Sequence, residues 1–212
     1  MKKDFLTTDK LRLEVEKLWI QHIKLCQDNF LYFVQEMWQD FICRKEKDPS
    51  RWGHHQIIAR EFTNIAHEKK GRLIINMPPR HTKSEFASIY FPAWMIGKNP
   101  KLKIMQVSHN TELAVRFGSK VRNIIDSPQY KQIFGDVKLR EDSKAKGRWE
   151  TNHGGEYYAA GVGASITGRG ADLLIIDDPH TEQDSMSDMA MERAFDWYTS
   201  GPRQRLQPGG SI

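Results

Sequence analysis

NMPPRHTKSE, residues 76–85, follows the apolar run RLIIN (72–76) and leads into the helical pattern SEFASIYFPAWMIG. An apolar strand, a turn ending in Lys-Ser and a helix form the layout of a phosphate-binding loop, whose pattern is G-x-x-x-x-G-K-[ST]. Met77 and Thr82 occupy the two glycine positions of that pattern. Glycine serves there because it reaches positive φ and lets the backbone approach a ligand closely, whereas a β-branched residue is strained in the left-handed region. Two readings stand at this point: a nucleotide site, or an ordinary strand-to-helix turn with an exposed Lys83.

Outward from this stretch the chain alternates. KIMQV (103–107), GEYYAAGV (155–162) and DLLIID (172–177) read as further strands, with TELAVRFGSKVRNIID between the first two as an amphipathic helix. Alternating strands and helices predict βαβ units, a mostly parallel sheet, and ligands at the carboxyl ends of its strands. Upstream, residues 10–42 predict helix, with Phe30, Phe33, Val34, Met37 and Phe41 on one face as core. A polar break, RKEKDPSRWG (44–53) with an Asp48-Pro49 turn, separates it from a second helix, HHQIIAREFTNIAHE. The segment 138–155 reads as a solvated excursion with a hairpin strand at Arg148 to Thr151. LQPGGSI reads as a Pro-Gly-Gly turn followed by the start of another strand, so a truncated product or a fragment is expected. The domain division predicted is a helical lead-in over 1–50 and an α/β domain over 51–212.

Composition narrows the classes. A net charge of +5 and a pI near 9.1 permit a polyanionic partner without requiring one. Cys26 and Cys43 form no C-x-x-C and join no His/Cys cluster, which argues against a disulfide framework or a zinc site. Neither a signal-type apolar segment nor an apolar run of about eighteen residues occurs, so a soluble, cytosolic protein is expected.

A second half-motif supports the nucleotide reading. DLLIIDDPH (172–180) is an apolar strand ending in paired carboxylates, about 94 residues after Lys83. Phosphate-loop enzymes need one carboxylate for Mg²⁺ and another to orient the attacking water, roles that fall to Asp177 and Asp178. Lys83 would meet the β- and γ-phosphate oxygens and the Ser84 hydroxyl would join the metal shell. An exposed Asp-Asp-Pro turn is the plainer alternative.

Taken together, PPRHTKS, VSHN-x-x-LA-x-x-F, ITGRGADLLIIDDP and QRLQPGG resemble the ATPase half of the large terminase subunit, the DNA-packaging motor of tailed phages. The likeness runs from about residue 30 onward. Family members often carry PPRHGKS, which Arg80 matches and Thr82 departs from. The resemblance implies a P-loop NTPase of the RecA/helicase-like type that uses ATP and Mg²⁺. Pro79, Arg80, His81, Thr82, Lys83 and Ser84 would form the loop, with Arg80 on phosphate oxygens. Gln56 would read the adenine edge, with Trp52 or His55 packing near it, although RWGHHQ also reads as a plain helix start. Arg169, in GRG, matches an arginine that in some terminases reaches a neighbouring subunit's γ-phosphate, and a structural arginine is the alternative. Ser108, His109 and Asn110 would couple nucleic acid to the phosphates, or Asn110 or Thr111 caps the next helix. Arg116, Lys120 and Arg122 form either a DNA-facing or a merely solvated face.

The implied partners are double-stranded DNA, the portal protein, the small terminase subunit and further copies in a ring, in the host bacterial cytoplasm and transiently at the procapsid portal. Nuclease activity is expected of the full-length family and not of this chain. The rivals are a helicase or restriction-type DNA-dependent ATPase, and a non-catalytic DNA- or partner-binding fragment.

Overall fold

The computed structural model describes residues 2–41, 43, 47–48, 53–67, 71–166 and 168–212. Trp52, Pro49 and most of the polar break fall outside the described residues. The lead-in forms two helices, α1 (Lys2–Asp28) and α2 (Phe30–Met37). Asn29 separates them: its side chain accepts hydrogen bonds from the backbone N–H groups of Leu31 and Tyr32, capping α2 and ending the continuous helix predicted over 10–42. Phe30 is fully buried and meets Phe62 of α3 (His54–Ala66), Phe86 and Phe91 edge-on at 5.2–5.7 Å.

The sheet has six strands in the order β2-β3-β4-β1-β5-β6. These are β1 (Lys103–Ser108), β2 (Leu139–Ala145), β3 (Arg148–Thr151), β4 (Glu156–Gly161), β5 (Ala171–Ile176) and β6 (Leu206–Ser211). β1 pairs in parallel with β4 and β5, and β5 with β6, while β2, β3 and β4 join antiparallel. The result is a mixed α/β fold, mostly parallel, flanked by helices. β1 reads as an uninterrupted buried run after Lys103, as a central parallel strand should. α5 (Thr111–Asp126) lies against β1 and β4, capped by the Asn110 side chain on Leu113 N–H. The short helix α6 (Pro128–Ile133) and the helix α7 (Asp188–Ser200) complete the set. No helix among the described residues is long and apolar enough to cross a membrane.

Three expectations are corrected. RLIIN forms no ladder strand; it is extended, with Leu73 N–H bonded to the Ile212 carbonyl at 2.9 Å. The charged segment 138–155 is not a solvated excursion: the hairpin strand expected at Arg148 to Thr151 forms as β3 and pairs with β2 within the sheet, with Trp149 fully buried and stacked on Tyr157. Pro-Gly-Gly lies inside β6 rather than in a turn, at an irregular register where Gly209 takes φ 81°.

The helix after Lys83 and Ser84 begins as a π-helical segment, Glu85–Tyr90, and continues as α4 (Phe91–Lys98). Pro92 explains the widening. It has no N–H to donate, and in a regular α-helix its ring would press on the carbonyl of Ser88. A wider turn, with Phe91 N–H bonded to Phe86 O, relieves that contact.

Candidate functional site

The loop from Pro79 to Ser84 lies beside the carboxyl end of β5, where a parallel sheet places ligands. Its backbone answers the question posed by the missing glycine: Thr82 adopts φ 65° and Arg80 φ 63°, both left-handed. Left-handed residues alternating along a short loop turn successive N–H groups toward one side, the arrangement that cradles anions. Side-chain bonds support the strain at Thr82. Its hydroxyl donates to the His81 carbonyl at 2.6 Å and lies 2.8 Å from His55 Nε2. Since the hydroxyl hydrogen is used on His81, the His55 ring donates from Nε2, which makes it the neutral Nε2–H tautomer. Burial, aided by the neighbouring His54, pushes the His55 pKa down to about 4, consistent with a neutral ring. Phe41 and Phe86 pack on that ring at 4.8 and 5.3 Å. His55 thus stands under the loop, and His81 Nδ1 closes it by donating to the Pro79 carbonyl at 2.8 Å.

Lys83 Nζ donates to Asp178 Oδ1 at 2.5 Å and lies 3.8 Å from Asp177 Oδ1. The two carboxylates are unlike. Asp177 is 5% exposed and its Oδ2 accepts the Ser88 hydroxyl at 2.8 Å, whereas Asp178 is more than half exposed. Gln106 Nε2 donates in turn to Ser88 Oγ at 3.2 Å, so a buried polar chain runs from the middle of β1 to Asp177. Asp178 takes φ 46°, a conformation that aspartate tolerates, and its carbonyl accepts His109 N–H at 3.0 Å. Ser108 Oγ donates to the Asp177 carbonyl at 2.7 Å. Together these bonds fix the turn that presents both carboxylates to Lys83.

Ser88 and Gln106 were not singled out from the sequence. Gln106 carried a signal, being a polar residue inside the apolar run KIMQV; Ser88 carried none. Of the residues that were singled out, Lys83, Asp177, Asp178, Ser108 and His109 come together. Ser84 lies at the helix start beside Lys83 with αR backbone. The Arg80 side chain is exposed and makes no ion pair among the described residues. Gln56 is buried in the first turn of α3, next to His55.

Arg169 is elsewhere. Its Nη1 donates to Glu156 Oε1 at 2.5 Å and its guanidinium lies 4.0 Å over the Tyr158 ring, at the amino ends of β1, β4 and β5. One strand length, ~17–20 Å, separates that edge from Lys83 of the same chain. Arg116, Lys120 and His109 line a groove of about 530 Å³ with Lys146. Two glycines let the hairpin turn that carries Lys146 approach α5. A Cβ on Gly147 would meet Val115 Cγ2 at 2.6 Å, and one on Gly118 would meet the Lys146 carbonyl at 2.9 Å, so the hairpin turn sits directly on α5. Arg122 bonds instead to the Lys144 carbonyl, fastening the hairpin to the helix.

Among the described residues no three His, Cys, Asp or Glu side chains converge to hold a metal. A divalent ion beside Asp177 would therefore draw most of its oxygens from water and a ligand, which is how Mg²⁺ binds at phosphate sites. Asp177, its Oδ1 within 3.8 Å of Lys83 Nζ, would supply one oxygen of that minimal donor set.

No protein-family model matches this chain. A stretch of 113 residues, 52% of the chain, is 27% identical to a protein described as the terminase large subunit of Enterobacteria phage T3, and covers 19% of that protein's length. The chain thus spans about a fifth of the curated relative it matches, and it is similar to that phage terminase subunit over half its own length.

Proposed function

We propose that this chain is the P-loop ATPase part of a phage DNA-packaging motor. The observation that carries the reading is Thr82 at φ 65°, where the phosphate-loop pattern has glycine, directly before a lysine that faces two carboxylates. ATP binds with its phosphates in the Arg80–Ser84 loop. Mg²⁺, when bound, would neutralise phosphate charge, and Asp177 and Ser84 would hold it. Asp178, solvent-facing and hydrogen-bonded to the lysine, orients the attacking water and accepts its proton. Lys83 leaves Asp178 for the phosphates as nucleotide enters, which frees that carboxylate for the water. Electrostatic stabilisation by Lys83 and Arg80 carries most of the rate. Gln56 and His55 border the base side. Arg169 takes no part in its own chain's site; service to a neighbouring subunit in a ring requires it to leave Glu156.

Duplex DNA is the proposed polyanion, its phosphates lying along Arg116, Lys120 and Lys146. His109 lines that groove and bonds to the Asp178 carbonyl, joining the DNA side to the hydrolytic side. Portal and small-subunit contacts belong to the same proposal through the similarity to the phage protein.

Thermal melting with and without Mg-ATP tests the nucleotide reading. The expected result is a ligand-dependent rise in Tm that Lys83→Ala abolishes and Asp178→Asn retains, with hydrolysis lost in both. A melting curve indifferent to Mg-ATP overturns it.

A further inference from the structure

The two oxygens of the Asp177 carboxylate are held unequally. The residue's backbone is pinned, its N–H donating to the Val107 carbonyl at 2.9 Å and its own carbonyl accepting the Ser108 hydroxyl at 2.7 Å. Of the side-chain oxygens, Oδ2 accepts the Ser88 hydroxyl at 2.8 Å inside the core, whereas Oδ1 lies on the Lys83 side, 3.8 Å from Nζ. Ser88 stands one turn after Ser84, fully buried in the π-helical segment, and is not a residue of the phosphate-loop pattern.

The order of hydrogens along this chain is fixed by the carboxylate. An ionised carboxylate oxygen only accepts, so the single hydroxyl hydrogen of Ser88 is spent on Asp177 and the Ser88 oxygen is left to accept. Gln106 meets that need by turning its amide nitrogen toward the serine. Nε2 donates to Ser88 Oγ at 3.2 Å and lies 3.5 Å from the Val107 carbonyl. The cost falls on Gln106 Oε1, which is buried and has no hydrogen-bond partner among the described residues. Turned over, the amide would present Oε1 to Ser88 and draw the hydroxyl hydrogen away from Asp177. Gln106 thus keeps Ser88 aimed at Oδ2, and Oδ2 turned into the core.

We propose that Ser88 is a positioning residue that sets metal specificity: by occupying Oδ2 it confines Asp177 to one oxygen toward a bound cation, which favours Mg²⁺ over Ca²⁺. Mg²⁺ takes about six oxygens in a strict octahedron, mostly water and single carboxylate oxygens, whereas Ca²⁺ takes up to about eight and readily accepts both oxygens of one carboxylate. For Asp177 to chelate Ca²⁺, Oδ2 has to turn out of the core, which strands the buried Ser88 hydroxyl. Gln106 acts at one remove, through the serine. This role rests on the nucleotide reading above, because the phosphates and water supply the remaining oxygens.

The test titrates Mg²⁺ or Ca²⁺ into the protein with a non-hydrolysable ATP analogue and reads the rise in Tm, giving a half-saturating concentration for each cation. The ratio of the two, Ca²⁺ over Mg²⁺, is the measure of specificity, and a merely structural role leaves it unmoved. Ser88→Ala is expected to lower that ratio about tenfold, whereas Ser88→Thr, which keeps the hydroxyl, stays near wild type. Gln106→Met leaves Ser88 in place but free to turn; it lowers the ratio less far and decides the matter where Ser88→Ala does not fold. A ratio unchanged in Ser88→Ala overturns the proposal, as does one unchanged in Gln106→Met when the alanine variant is unfolded. A shift in Ser88→Thr as large as in Ser88→Ala also overturns it. Wild type that is indifferent to the analogue with either cation removes the nucleotide reading, and this role with it, before any variant is compared.

Discussion

Replacing Thr82 measures how the loop is held. A non-glycine residue at positive φ costs about 1–2 kcal/mol relative to its preferred conformations. The two contacts of its hydroxyl, to the His81 carbonyl and to His55 Nε2, each contribute about 1 kcal/mol net. Thr82→Val removes both contacts and keeps the β-branched strain. Thr82→Gly removes both contacts and also the strain, at an entropic cost of about 0.5–1 kcal/mol. Subtracting the common loss leaves the glycine variant more stable than the valine variant by about 1 kcal/mol, a gap of ~2–4 °C in Tm for a chain of this size. Both variants fall below wild type, valine the further. Urea and thermal melts of the three proteins at neutral pH give the comparison. A valine variant as stable as the glycine variant refutes the claim that residue 82 is held in the left-handed region.

Other perturbations address neighbouring links. Ser88→Ala strips the buried Asp177 Oδ2 of its hydroxyl donor and leaves Gln106 Nε2 with only the Val107 carbonyl at 3.5 Å; a loss of about 1–3 kcal/mol is expected in urea melts. His55 has a folded pKa of about 4 against an ordinary 6.5, so the unfolded chain takes the proton first. The stability that the neutral ring contributes is complete above about 6.5 and is lost as pH falls toward 4. His55→Gln should therefore show a shallower fall in Tm across that window than wild type, and equal slopes would count against it. Gly118→Ala drives a methyl group to 2.7 Å from the Tyr157 ring and 2.9 Å from the Lys146 carbonyl. Its expected cost is about 1–3 kcal/mol, with weaker duplex DNA binding in fluorescence anisotropy as the Lys146 turn is displaced.

The sequence made the alternation of strands and helices plain because β1, β4 and β5 are buried on both faces and read as short apolar runs. Asp177 and Asp178 were legible for the same reason, as charges closing such a run. Local pattern failed where long-range pairing decides. RLIIN has strand composition, but its backbone bonding among the described residues is confined to Ile212, which meets Gly71 and Leu73, so composition alone overstated it. In the hairpin at 139–151 the strand Arg148–Thr151 was legible, with Trp149 and Thr151 pointing inward, whereas β2 (Leu139–Ala145) is charged and has no buried residue to mark it. Left-handed Arg80, Thr82 and Asp178 could not be read from residue type, since one of the three is β-branched and another an arginine. Ser88 was invisible because its role depends on a carboxylate 89 positions away.

The π-helical segment Glu85–Tyr90 has a consequence for how the loop is aimed. One extra residue in a turn shifts the angular phase of everything before it by about 100° relative to everything after. Phe91, Trp94 and the rest of α4 are locked to the core, so the offset falls on Lys83 and Ser84. Deleting one residue between Glu85 and Tyr90 would remove the wide turn, bring the Pro92 ring against the carbonyl four residues before it, and swing the Lys83 azimuth away from Asp177 and Asp178. The side of the helix from which Lys83 reaches Asp178 is thus set by a count of residues one turn downstream, and the ion pair then fixes the side chain itself.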